Sequence, residues 1–330
     1  MMRALARLAD GSVRPDVPVS DWSLLRADPR VTLWVDLMPA DGEEQVSEKM
    51  LLEQFGFHPL AVDDALRETH QPKVDDWHDY IYVVLHAVRF DPATRRIHSP
   101  ELDAFVGKNY LVTHHSEPIG ALESIWKATS REPRRLAEGT DNLLYQIADT
   151  IVADYMPLVD QLDDWIDEVE TEILRKPTSQ TLARVLRQKR RLVGLRRSLS
   201  ALREVLNKLA RDDYAVIDQR DRVYFRDVYD HVVRLYDIVE SMRDLVGGSL
   251  DTYLSVTSNR INEIMKTLTI VNVIFMPISF LAGFFGMNFF GQEFALKPEI
   301  HGNWVFWVSL AAMLVLPSTM YAWMRLRKWL

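Results

Sequence analysis

Two apolar runs lie near the end of the chain, at about 268–286 and about 304–324, each long enough to cross a bilayer as a helix. Upstream, the pattern is that of a water-exposed protein. Apolar and polar residues alternate in strand fashion over 31–37, and 80–88, 101–106 and 110–114 read similarly. Helical spacing appears at 43–55, and again at 59–68 after a His58-Pro59 start. The first 120 or so residues therefore predict an α/β domain. From Asn142 the strand signals stop. One helix is predicted from about Asn142 to Leu174, ending at the Lys176-Pro177-Thr178-Ser179 turn. After a break near Asp212-Asp213, a last helical pattern starts around Tyr224 and meets no strong breaker before Pro277 except Gly247-Gly248. Continuous to Phe285, it would be roughly 90 Å long at about 1.5 Å per residue. The pattern thus divides the chain into an α/β domain (1–140), a helical region with a long stalk (141–266), and a membrane part (267–330) with two helices and an outer loop, 289–303.

Charge adds detail to the helical region. The stretch Asp154–Glu172 is acidic, with Asp160, Asp163, Asp164, Asp167, Glu168 and Glu170 inside it. The next helix carries Arg184, Arg187, Lys189, Arg190, Arg191, Arg196, Arg197 and Arg203. An antiparallel hairpin with facing opposite charges is the simpler reading. An acidic surface that concentrates cations by its long-range field is compatible with it.

Steps of three or four along the last long helix pick out Asp251, Ser255, Ser258, Asn262, Met265, Leu268 or Thr269, Asn272, Met276, Ser279, Gly283 and Met287. These residues share one sector at 3.6 residues per turn, and they are polar, small or unbranched. Bulky Ile264, Ile270, Val271, Ile274, Phe275, Ile278, Leu281, Phe284 and Phe285 take the other faces. A mid-span Asn272 is costly in lipid unless it meets water or a hydrogen-bonding partner. Close helix packing through small residues is one use of such a stripe. Methionines and Leu268 pack poorly at close range, however, and suit a constriction that blocks ions by dewetting. A pore lining is the favoured expectation, and since one helix cannot enclose a pore, it requires a cyclic homo-oligomer.

A net charge of -8 argues against a nucleic-acid partner. With no cysteine there is neither a disulfide nor a thiolate metal site. The first ten residues lack the apolar core of a cleaved signal. The end of the chain carries Arg325, Arg327 and Lys328 while the loop holds Lys297 against Glu293 and Glu299, so both termini are expected on the cytoplasmic side.

The segments Asp251-Thr252-Tyr253-Leu254-Ser255, Ser258 to Lys266, Phe275-Met276-Pro277, Ala282-Gly283 and, above all, Gly286-Met287-Asn288 at the outer end of the first span together resemble the CorA family of magnesium and divalent cation transporters. Phe57-His58-Pro59-Leu60, Gln71-Pro72-Lys73-Val74, Tyr224 to His231 and Lys328-Trp329-Leu330 extend the likeness over about 31–330. The resemblance implies an α+β membrane protein of the inner (plasma) membrane, a funnel-shaped homopentamer that conducts Mg2+, with Co2+ and Ni2+ as further candidates. Gly286, Met287 and Asn288 would form the selectivity filter. Met265, Leu268 and Met276 would form the gate, with Asn272 and Ser279 in the pore and Asp251 as an acidic ring at the inner vestibule. A regulatory inter-subunit Mg2+ site would fall on Asp64 and Asp227, with Asp63 beside it.

Residue chemistry is consistent with this. Mg2+ prefers oxygen ligands and gives up water reluctantly, so a ring of amide and carbonyl oxygens can hold it hydrated. The outer loop departs from the family: Lys297-Pro298-Glu299 stands where Met-Pro-Glu is usual, and His301 with Glu293 and Glu299 could attract a softer ion. A zinc transporter resembling the ZntB branch is therefore the alternative, although the retained Gly-Met-Asn favours magnesium. A membrane-anchored binding protein without conduction is the second alternative. An enzyme is not expected, since no phosphate-cradling glycine loop or nucleophile motif appears, and His114-His115 reads as a strand end. No organic cofactor is expected.

Overall fold

The structure is a computed structural model that describes residues 2–39, 44–67, 71–91, 94, 96–287 and 304–327. It divides into two compact units, Met1–Asp251 and Thr252–Leu330.

The first unit is built on a seven-stranded sheet in the order β2-β1-β3-β9-β8-β5-β4. Its strands are β1 (Met2–Arg7), β2 (Val13–Pro15), β3 (Thr32–Leu37), β4 (Lys73–Asp76), β5 (Tyr80–His86), β8 (Glu101–Gly107) and β9 (Tyr110–His114). β3 and β9 run parallel and the other pairs antiparallel. β6 (Arg89–Asp91) and β7 (Arg96–His98) form a separate hairpin. The alternating segments at 31–37, 80–88, 101–106 and 110–114 are strands, as expected. The β1–β2 hairpin was not anticipated, because Arg3 and Arg7 interrupt the apolar run of β1. In the fold, Arg3 binds Asp36 of the neighbouring strand at 2.9 Å.

One sheet face packs on α1 (Val19–Ala27), a π-helical turn (Met50–Gln54) that continues α2 (Glu44–Lys49), and α3 (Pro59–Arg67). Phe57 stacks on Phe105 there, with ring centroids 4.3 Å apart. The opposite face meets α4 (Gly120–Arg131) and α5 (Thr140–Ala153). Covered on both faces, the central strands are buried along their length except at His86, the half-buried end of β5.

The helix expected over 142–174 is two helices, α5 and α6 (Tyr155–Arg175), separated at Asp154. Pro157 explains the break, since it has no N–H for the carbonyl of Ala153 and its ring crowds that carbonyl. α7 (Ser179–Arg211) begins at a capping box in which Thr178 and Thr181 exchange hydrogen bonds, at 3.2 Å each. α8 (Arg222–Gly286) is a single helix of 65 residues that continues through Gly247-Gly248 and Pro277. Its buried residues in the first unit, Phe225, Val228, Val232, Leu235, Val239, Met242 and Val246, repeat at three- and four-residue steps, as in a coiled-coil seam. Each such side chain contributes about 1.5–3 kcal/mol when fully buried. At the end of the seam, Ser249 donates to Glu170 of α6 at 2.7 Å.

The second unit holds the rest of α8 and α9 (Trp304–Leu326). Both helices are long and apolar enough to cross a membrane. Some of their hydroxyls bond within the helix: Thr269 donates to Met265 O at 2.8 Å and Ser318 to Leu314 O at 2.6 Å.

Candidate functional site: an ion path along the long helix

Between Ile270 and Leu281, one side of α8 is half-buried, whereas residues 258–269 are exposed all round the helix. Ile270, Val273, Ile274, Pro277, Ile278 and Leu281 are half-buried and lie on one side of the helix. The side opposite is the stripe read from the sequence. Asp251, Ser255, Ser258, Asn262, Thr269, Asn272, Ser279 and Gly283 are all exposed. Met265, Leu268 and Met276 expose 56%, 52% and 75% of their surface. An apolar helix in a soluble core would bury this span, whereas here its most apolar window is uncovered. The stripe is therefore not consumed by packing within the described chain, and it presents amide, hydroxyl and thioether groups to whatever adjoins it.

Gly286 ends α8, and the Met287 N–H follows on with a bond to Phe284 O at 3.4 Å. Asn288 and the loop 289–303, including Glu293, Lys297, Glu299 and His301, lie outside the described residues. At the far end of α9, the Arg327 guanidinium sits 5.8 Å from the Trp323 ring centroid, a pairing suited to a membrane interface.

The expected regulatory acids lie in the first unit. Asp63 pairs with Arg67 at 2.9 Å within α3. Asp64 binds the Lys73 ammonium at 2.5 Å, and Lys73 also reaches Asp75 at 2.8 Å. Burial pulls the Lys73 pKa down, but these two carboxylates more than reverse it, so the side chain stays charged. Asp64 also lines a cavity of about 670 Å³ with Asp75, Asp76, Asp212 and Asp213. Sequence reasoning missed these four companions. Asp75 and Asp76 directly follow the Gln71-Pro72-Lys73-Val74 segment it had singled out, while Asp212-Asp213 had been read only as a helix break. Asp227 is exposed on the first turns of α8. There it adds to the upward shift that burial imposes on Asp149, which the nearby His231 opposes.

Among the described residues, Asp141, Asp218 and Asp221 bring one carboxylate oxygen each to within 4.8 Å of one another. Their hydrogen bonds account for the cluster. Asp141 accepts the Asp218 N–H at 2.9 Å and the Asn142 N–H at 3.0 Å, and Asn142 donates to Asp221 at 3.2 Å. The cluster fastens the start of α5 to the α7–α8 loop.

His114 and His115 end β9 as expected, inside a buried ionic network. His115 lies 3.3 Å from Asp36, which also accepts from Thr113 at 2.7 Å. Burial raises Asp36, but His115, Thr113 and Arg3 outweigh it and leave the carboxyl below its ordinary range. On the other sheet face Tyr82 donates to Asp103 at 2.6 Å, and burial pushes Asp103 up to about 6.

The facing-charge reading of α6 and α7 holds at Arg184. Arg184 binds both Glu168, at 3.2 Å, and Glu172. Asp160, Asp163, Asp164 and Asp167 remain exposed, and Arg196 turns instead to Glu240 of α8 at 2.5 Å.

Comparison with known proteins agrees with this layout. A family model described as CorA-like Mg2+ transporter protein matches residues 30–327. The cobalt/magnesium transport protein CorA of Thermotoga maritima is 39% identical over 280 residues, covering 84% of this chain and 78% of that protein. The putative metal ion transporter YfjQ of Bacillus subtilis is 32% identical, covering 90% and 89%. Among solved structures, the complete CorA magnesium transporter from Methanocaldococcus jannaschii superposes with a TM-score of 0.80 at 25% identity, over 99% of this chain and 98% of that one. The match runs through the soluble sheet, the long helix and both C-terminal helices, so the chain belongs to the family of CorA-like Mg2+ transporter proteins, whose members are membrane transporters of divalent cations rather than enzymes.

Proposed function

We propose that this protein is a homopentameric channel of the inner membrane that takes up Mg2+, with Co2+ and Ni2+ as further permeant ions, and that cytosolic Mg2+ closes it. The observation that carries the reading is the uninterrupted exposed stripe of α8, opposite the covered face of the same helix. Around a cyclic axis, five copies of the stripe line one path. Asp251 attracts cations at the inner mouth, Met265, Leu268 and Met276 dewet to close it, and Asn272 and Ser279 offer neutral oxygens within the span. Gly286, Met287 and Asn288 form the outer filter, where neutral donors hold a hydrated divalent ion weakly enough to release it. The Arg325 and Arg327 end of α9 supports cytoplasmic termini, which leave the loop 289–303 outside.

For regulation, the cavity at Asp64, where five carboxylates outnumber the single ammonium of Lys208, suits a hard cation. Asp64 and Asp227 of adjacent copies would hold Mg2+ with Asp63 nearby, and bridging them removes a repulsion that otherwise loosens the subunits. The chain supplies its own competitor, because Lys73 already neutralises Asp64. Asp227→Ala should weaken the dependence of closure on cytosolic Mg2+. Lys73→Gln should act the other way, closing the channel at roughly two- to fivefold lower Mg2+. Unchanged inhibition in both variants would remove these residues from the regulatory site.

The ion assignment is tested by flux into proteoliposomes for Mg2+, Zn2+, Co2+ and Ni2+. Mg2+ entry is expected. Zn2+ entry coupled to protons, with no Mg2+ entry, would replace the reading with the zinc transporter, and no flux of any ion would leave an anchored binding protein.

A further inference from the structure

Three arginines of α7 line a cavity of about 690 Å³ between that helix and the β6–β7 hairpin. Phe90 of the hairpin packs on Trp165 of α6, with centroids 5.2 Å apart, which holds the hairpin over the helix pair. Arg187, Arg190 and Arg191 line one wall at helical spacing, and Arg96 of β7 lines the other. Among the described residues, no acidic side chain lines the cavity. Among the described residues, Arg96, Arg187 and Arg190 form no ion pair, while Arg191 is steadied by Gln188 at 3.1 Å and by the Trp165 ring. Ser198 adds a hydroxyl donor, whereas the Thr94 and Ser99 hydroxyls already donate to Asp91 at 2.6 Å and to the Ala87 carbonyl at 3.3 Å. Gly194, one turn beyond Arg190, leaves open space where a side chain would stand.

The Arg96, Arg187 and Arg190 guanidinium groups around one space repel each other unless an anion joins them. Their fork of N–H donors matches phosphate oxygens in two-point fashion. The volume is that of a small-molecule site rather than a single-ion niche. Ile97, Leu195 and Tyr155 supply an apolar wall that a planar ring can contact. We infer that this cavity binds a soluble, multiply charged phosphate compound of the size of a nucleoside di- or triphosphate. The site is separate from the proposed ion path and does not depend on it.

The test is isothermal titration of the full-length protein in detergent, at low salt and with EDTA so that the probe is free of Mg2+. Pyrophosphate and ATP are titrated in parallel. Saturable binding is expected, weakening as salt rises, and a tighter value for ATP would assign the apolar wall to the base. Arg187→Gln with Arg190→Gln should weaken it about tenfold or more, the usual effect of losing charge-assisted hydrogen bonds. Arg96→Gln should weaken it from the opposite wall. All three side chains are exposed, so melting temperatures should stay near that of the native protein. No saturable binding of either probe at millimolar concentration would overturn the inference, as would equal affinity in the native protein and both variants.

Discussion

At the scale of single residues, Asp103 shows how the sheet stores a titratable group. Its folded pKa of about 6 stands above the value near 3.9 of an unfolded chain, because burial disfavours the charged form. The native state therefore binds more protons between about pH 4 and 6, and this group's contribution to stability falls as pH rises through that window, then stays flat. The loss is on the order of 2–3 kcal/mol. Asp103→Asn keeps an oxygen for the Tyr82 hydroxyl and removes the titration. The melting temperature of the variant minus that of the native protein should therefore increase from pH 4.5 to pH 7, and a difference independent of pH would contradict the assignment. The sequence hid this residue. In β8, Asp103 occupies what reads as the solvent side of an alternating strand, yet helices cover both sides of the sheet and the polar position is buried. Asp64 shows the reverse case: the segment was legible from the resemblance, but its counter-ion Lys73 was not, because nothing in linear spacing says that β4 returns alongside α3.

At the scale of elements, the chain announces its helices better than their ends. The turn at 176–179 was legible from Pro177 and two hydroxyl residues, and it supplies the Thr178 cap of α7. Thr178→Ala should cost about 1 kcal/mol, measured as a lower melting temperature, with a Ser replacement restoring most of it. The α5–α6 break was missed, although Pro157 could have indicated it, because helix-favouring residues continue on both sides. Gly247-Gly248 illustrates the opposite case. Two residues that weaken an isolated helix do not interrupt α8, since the buried seam up to Val246 and the Ser249–Glu170 bond hold it there. Charge was the least reliable guide. The arginines of α7 suggested pairing with α6, but a helix spreads its side chains around its axis, and while Arg184 points across to Glu168 and Glu172, Arg196 turns to Glu240 of α8.

At the scale of the whole molecule, the proposed transport path rests on the exposed stripe of α8, which lies away from the half-buried side at Ile270–Leu281. The stripe from Asp251 to Met287 was legible because helical periodicity is the strongest signal a sequence carries. That it stays exposed was not legible, since it depends on which side of α8 is covered in three dimensions. Replacing Asn272 by Leu should abolish or strongly reduce Mg2+ flux if the amide lines the path, and should leave flux intact if the face meets lipid.

The chain has no cysteine, so a single introduced thiol is unique. The most direct test of the central claim is Mg2+ flux in proteoliposomes before and after a cationic methanethiosulfonate reagent, for single-cysteine variants along α8. If the stripe lines the ion path, Asn272→Cys, Met276→Cys and Ser279→Cys lose flux on modification, while Ile274→Cys, Ile278→Cys and Leu281→Cys on the covered side do not. Flux unaffected at all three stripe positions, or lost only on the covered side, would contradict the account.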